Sequence, residues 1–221
     1  MKKSALFHVL ILVLMGTLAA VPAFAGDIVL YNNTTSYSYG NSPDWSWGTN
    51  GITDSFVPLQ NGTADSVMAA LWLNPGDTAT SVTWQITTQE FGGTTLDSGT
   101  ATNLSSAFVT TFTYSAPPNF SESWDIDNVS FSVSDLAVNT NTTYWLELDS
   151  VTTIDGTYVP GWDESVGPST AYISDGNTEA PSETFQILGE EGSVVPEPSS
   201  FLLLGTGLAG LAGIIKRKLM A

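Results

Sequence analysis

The strongest constraint on this chain is the placement of its charges. From Gly26 to Ile215 there is no lysine and no arginine. The five basic residues are Lys2, Lys3, Lys216, Arg217 and Lys218, and all 22 acidic residues lie between Asp27 and Glu197. An average sequence mixes both signs throughout. A body of this kind cannot form an internal ion pair, so its carboxylates must be solvated, hydrogen-bonded or neutralised by a bound cation. Nucleic acid and anionic lipid headgroups are excluded as its partners, because both are held by Lys and Arg. The same stretch is rich in Trp, Phe, Val, Leu and Ile, which gives it the means to bury a core instead of staying disordered. At 221 residues the chain has room for one medium domain plus targeting segments.

Composition excludes much chemistry. There is no cysteine, and His8 is the one histidine, near the N-terminus. If the first segment is removed, neither a Ser-His-Asp triad nor a Cys-His pair can be assembled. A Ser-Lys arrangement lacks its lysine, a conventional zinc site lacks nitrogen and sulfur ligands, and no glycine-rich phosphate loop opens a helix.

The two ends read as addresses. Met1-Lys2-Lys3, an apolar run to Ala20, and Val21-Pro22-Ala23-Phe24-Ala25 form a signal peptide over residues 1–25. Ala23 and Ala25 are its small cleavage-site residues, and Gly26 follows the cut. At the other end Pro196-Glu197-Pro198 precedes an uncharged stretch that runs to Ile215, and Lys216-Arg217-Lys218 closes it. As a helix, residues 199–215 span roughly 25 Å, the short end for a bilayer. The basic cluster belongs on the cytoplasmic side, which puts the body on the outer side of the inner membrane.

This tail resembles the PEP-CTERM sorting signal. The resemblance rests on the Pro196-Glu197-Pro198 tripeptide, the glycine-rich apolar helix and the basic stop, in that order. It implies processing by an exosortase near the tripeptide and, through the family, an association with extracellular polysaccharide. The expected organisation is a signal peptide (1–25), an acidic β domain (26–189), a linker (190–198) and a transmembrane sorting helix (199–221). Thr143-Tyr144-Trp145-Leu146, Gly161-Trp162-Asp163-Glu164 and Ser182-Glu183-Thr184-Phe185-Gln186-Ile187-Leu188-Gly189 also look like motifs of exported β domains that precede this tail. That likeness carries over no catalytic residue.

Between the ends, period-two alternation predicts strands and no sustained helix. Val82, Trp84 and Ile86 share a face, as do Phe108, Thr110 and Phe112. Trp124 and Ile126 alternate, then Val129, Phe131 and Val133 continue one position out of phase, which predicts a bulge near Asn128. Tyr144, Leu146 and Leu148 fall on one face, with Trp145, Glu147 and Asp149 on the other. Further strands are expected at 27–31, 54–59, 66–73, 169–174 and 183–188. Turn signals separate the runs, among them Asn61-Gly62, Asn74-Pro75-Gly76-Asp77, Gly92-Gly93, Asp97-Ser98-Gly99 and Asp155-Gly156. The pattern reads as an all-β antiparallel sandwich, jelly-roll-like.

Two chemistries survive these exclusions. Glycoside hydrolysis needs two carboxyl groups and an aromatic platform; Glu147 with Asp149, and Asp163 with Glu164, are the candidate pairs. Strand rise puts Glu147 and Asp149 roughly 7 Å apart at Cα, beside Trp145. Calcium needs several oxygen ligands and no nearby positive charge; Asp125, Asp127 and Asn128 are the candidate ligands. Trp45 and Trp47, in a Tyr- and Ser-rich stretch, are candidates to stack on sugar rings. The sequence thus leads to a non-enzymatic exported surface or matrix protein with no cofactor. A carbohydrate-binding module or weak glycosidase, and a calcium-stabilised adhesion domain, are the alternatives.

Overall fold

In the computed structural model the described residues are 27–34, 36–37, 43–44, 51–116, 120–156, 161–173 and 179–192. They contain fourteen strands: β1 Ile28–Asn32, β2 Pro43–Asp44, β3 Ile52–Phe56, β4 Gly62–Leu73, β5 Ala79–Gln89, β6 Gly92–Ala101, β7 Ser105–Ala116, β8 Phe120–Val138, β9 Tyr144–Thr153, β10 Gly161–Ser165, β11 Ala171–Ile173, β12 Glu179–Ala180, β13 Ser182–Glu183 and β14 Phe185–Glu191. All pairings are antiparallel. Among the described residues no helix is long and apolar enough to cross a membrane. The expected signal peptide and sorting helix lie outside the described residues.

The strands form two sheets. In the first, β4 is central: β8 flanks it on one side and β14 and β10 share the other, with β7 outside β8 and β1 outside β14. The second runs β12-β11-β3-β9-β5-β6. One core joins them. Leu30, Val67, Leu71, Phe131, Trp162, Phe185 and Ile187 from the first sheet meet Ile52, Phe56, Val82, Trp84, Ile86, Leu146 and Leu148 from the second. The all-β sandwich expectation therefore holds, with Tyr144, Leu146 and Leu148 facing inward as their alternation requires.

Residues 67–73 of β4 carry no polar side chain, and all seven are buried. A strand with one wet face alternates; a continuous apolar run means both faces are covered. Ala69, Leu71 and Leu73 enter the inter-sheet core, whereas Ala70 and Trp72 point the opposite way. There they meet Trp124 and Ile126 of β8, backed by Tyr37, Val109 and Phe112. Trp72 lies 4.9 Å from Phe112 and 5.8 Å from Trp124 between ring centroids. A second, aromatic core thus sits on the outer face of the first sheet.

This second core corrects the expected bulge at Asn128. Strand β8 pairs with β4 without a break there, Ala70 opposite Asn128 and Ala69 opposite Val129. The phase slip marks a change of buried face: Trp124 and Ile126 serve the outer core, Val129 and Phe131 the inner one. The bulge lies on the neighbouring strand, where Val109 is the extra residue between Phe108 and Thr110. It breaks the expected Phe108–Phe112 face, leaving Phe108 63% exposed while Phe112 packs inward.

A second correction concerns β6, whose residues Asp97-Ser98-Gly99 read as a turn. They are strand because Gly99 lies directly opposite Trp84, whose indole covers the site where a Cβ would be, 3.4 Å away. Asp97 meanwhile accepts from the amide of Ser134. The turn itself sits at Glu90–Phe91, just ahead of the two glycines.

Ile126 is fully buried although it points away from the inter-sheet core. Ile126→Ala should therefore cost about 2–5 kcal/mol, as for any buried large-to-small change. Phe108→Ser should stay within about 0.5 kcal/mol. Urea unfolding followed by tryptophan fluorescence separates the two; equal effects would rule out an outer core.

Candidate functional site

Hydrophobic packing gives way to a polar knot at one end of the inter-sheet space. Alternation along β3 places Asp54 on the inward face with Ile52 and Phe56, and it is fully buried. One carboxyl oxygen, Oδ2, accepts from the Glu183 amide at 2.7 Å, the Ser169 hydroxyl at 2.9 Å and the Ser182 hydroxyl at 3.3 Å. The buried Asn33 donates to Ser182 Oγ and to the Glu183 carbonyl, each at 2.5 Å. The knot ties the second sheet, through β3, to β13 of the first.

Asp163 is its neighbour. Its Oδ1 accepts from the Trp72 indole N–H at 2.5 Å and its Oδ2 from the Thr184 hydroxyl at 2.9 Å. The Trp162 indole donates to the Thr184 carbonyl at 3.1 Å. Glu164 stands directly opposite Glu183. The two segments Gly161–Glu164 and Ser182–Gly189 thus meet here, and through Trp72 the knot is wired to the outer aromatic core.

Burial without a cation acts on proton affinity. Desolvation pushes Asp54 up to about 7 from its usual 3.8, and the hydrogen bonds from Glu183, Ser169 and Ser182 oppose that only in part. Its second oxygen, Oδ1, is buried without a partner, which makes it the natural seat for the proton.

The second acidic feature lies on the outer face of the second sheet. Glu147 is 6% exposed there. Burial, then the adjacent Asp149, raise its pKa well above the ordinary carboxylate range, while Gln85, donating to Oε2 at 2.7 Å, pulls it down. Against β5, Leu148 pairs with Trp84 and Ser150 with Thr83, so Asp149 is the extra residue of a bulge. Bulges re-aim side chains. Trp145 shares this face, with its ring 5.8 Å from that of Tyr172.

The structure brings together Glu147, Asp149 and Trp145, as their spacing requires. It separates the other candidates. Asp163 and Glu164 are consecutive in β10 and point to opposite sides. Asp125 accepts from Thr111 and the Gly76 amide, and Asp127 from Ser106. Asn128 is on the other face, bonded to Tyr37, so the three do not converge on one ion. Among the described residues no three acidic side chains cluster as a metal site. Trp45 and Trp47 lie outside the described residues.

Sequence reasoning missed Asn33, Asp54, Ser169 and Ser182 as one site. A usable signal was present: Asp54 occupies an apolar phase position between Ile52 and Phe56.

Residues 194–218 match the family model of the PEP-CTERM protein-sorting motif. The match takes in Pro196, Glu197 and Pro198 together with Lys216, Arg217 and Lys218, so the chain carries that sorting motif. The motif marks a protein that is exported, held in the membrane and handed by an exosortase to the cell surface. No curated protein and no solved structure matches the chain.

The raised Asp54 fixes the sign of a pH effect. Between its ordinary 3.8 and its folded value near 7, the native state holds a proton that the unfolded state has lost. Stability is then full below about pH 4 and falls as pH rises through 7. The total loss is on the order of a few kcal/mol. Melting temperature should drop between pH 4.5 and 8, and Asp54→Asn, which keeps an oxygen at Oδ2 and places its amide at Oδ1, should flatten much of that slope. A melting temperature that climbs over the same range in the native chain contradicts the assignment.

Proposed function

We propose that this chain is a non-enzymatic structural or adhesive protein of the cell surface or extracellular polysaccharide matrix, delivered there by its sorting motif. The observation that carries the reading is the motif over residues 194–218 joined to an all-β body. In this reading residues 1–25 are removed on export, and the segment from 199 holds the chain in the inner membrane until an exosortase acts near Pro196-Glu197-Pro198. The jelly-roll-like body then works outside the cell as a stable, strongly acidic module. The disposition of its carboxylates supports this: Asp163 is occupied by Trp72 and Thr184, and Asp54 by Ser169, Ser182 and the Glu183 amide.

One observation favours a second reading, carbohydrate recognition. The Trp145–Tyr172 ring pair shares an outer face with Glu147 and Gln85, and aromatic faces pack on the CH-rich faces of sugar rings. Loss of binding to a purified exopolysaccharide in Trp145→Ala, with the fold intact, would select it over a purely structural role.

The leading reading is tested by intact mass of the chain recovered from membrane, surface and medium of a host with an exosortase. The expected surface form lacks residues 1–25 and the tail beyond the motif. A chain with Pro196, Glu197 and Pro198 all changed to Ala should stay in the membrane with its tail. Identical masses and locations for the two chains would overturn the assignment.

A further inference from the structure

We propose that the outer face of the second sheet holds a binding site for one calcium-like hard cation, built by Glu147, Asp149 and the Leu148 carbonyl around the place where Gly51 lacks a side chain. Its position differs from the Asp125–Asp127–Asn128 stretch to which sequence pattern points.

The geometry starts from a missing side chain. Gly51 precedes β3 and continues its register opposite Asp149, because Ile52 pairs with Leu148 and Thr53 with Glu147. A methyl group built on Gly51 would stand 3.0 Å from the Leu148 carbonyl oxygen, 3.1 Å from Asp149 Oδ1 and 3.2 Å from Glu147 Oε1. Three oxygens from three consecutive residues of β9 therefore face one point, and two of them are carboxylate oxygens. Calcium binds oxygens at about 2.3–2.6 Å, so inward shifts of roughly half an ångström or somewhat more would bring all three into range. The bulge at Asp149 explains how neighbours on a strand can converge in this way.

An independent observation points to an occupant. Thr53 is fully buried, and its hydroxyl Oγ1 has no hydrogen-bond partner. As the direct cross-strand partner of Glu147 it stands on the same face of the sheet. A buried hydroxyl without a partner is destabilising, and a water bound to a cation on this face supplies one.

Charge selects the sign of the ligand. There is no Lys or Arg from Gly26 to Ile215, so no side chain in that stretch can neutralise the pair. Among the described residues Gln85 of β5 and Thr53 of β3 stand beside the pair, with Trp145 and Tyr172 on the same face, and none of these carries a positive charge. Burial first, and then the adjacent Asp149, push Glu147 up, the direction expected of two neighbouring carboxyls with no counter-charge. Two carboxylates and one carbonyl, completed by water, make an all-oxygen set suited to calcium, which takes six to eight such ligands; magnesium dehydrates reluctantly and demands octahedral geometry.

The test is calorimetric titration of calcium chloride into the full chain in detergent, after chelator treatment, at pH 8. The expected result is one saturable site with a dissociation constant of about 10⁻⁴–10⁻³ M, the range of extracellular calcium modules. Glu147→Gln should weaken binding at least tenfold. Gly51→Ala keeps every acidic group and fills the space, so it should do the same, and Thr53→Val should weaken binding by a smaller factor without changing charge. Absence of saturable binding in the unsubstituted chain overturns the proposal. So does wild-type affinity in Gly51→Ala, because that result would mean diffuse screening of an acidic surface.

Discussion

The fold depends on how buried carboxylates are satisfied where no basic side chain exists. A buried charge is ordinarily paired with the opposite charge or held by a metal. Here Asp54 and Asp163 are held by neutral donors: two hydroxyls and an amide for the first, an indole and a hydroxyl for the second. For Asp54 desolvation still outweighs those bonds and a proton supplies the rest. The knot spans both sheets, so it sets their relative position at the end of the core where apolar contacts run out. Such networks are favourable only when most members are satisfied, which explains why so many Ser, Thr and Asn side chains gather around two acids.

The outer aromatic core follows from the same economy of contacts. A sheet in a sandwich normally leaves its outer face to water. Covering Ala70, Trp72 and Ile126 on that face buries β4 on both sides, and Trp72 then reaches Asp163 with its indole N–H. One residue thereby links the outer core to the polar knot. Disturbance of either should be felt by the other, because residues in one hydrogen-bonded network are not energetically independent.

Much of this was legible in the sequence. The alternation of Val82, Trp84 and Ile86, and of Tyr144, Leu146 and Leu148, gave both the strands and the faces they bury. The sorting motif was legible from ordered chemistry at residues 196–218. Legibility failed where two-residue periodicity was read against a single buried face. The slip after Ile126 signals a change of face, and a pattern alone cannot tell that from an inserted residue. Asp97-Ser98-Gly99 was misread because Gly and Asp carry turn signals, whereas the packing of Trp84 over Gly99 is a tertiary fact. The knot was hidden for a similar reason: Asn33, Asp54, Asp163 and Ser182 are far apart in sequence, and only the pairing of β10 with β13 and the approach of β3 bring them together.

The central claim is that a proton, and no counter-charge, completes the buried site at Asp54. The most direct measurement is the ¹³Cγ chemical shift of Asp54 followed by NMR from pH 4 to pH 9. The account predicts a carboxyl that stays protonated at pH 5 and titrates near 7. A carboxylate already ionised at pH 5, with the fold intact, would contradict it.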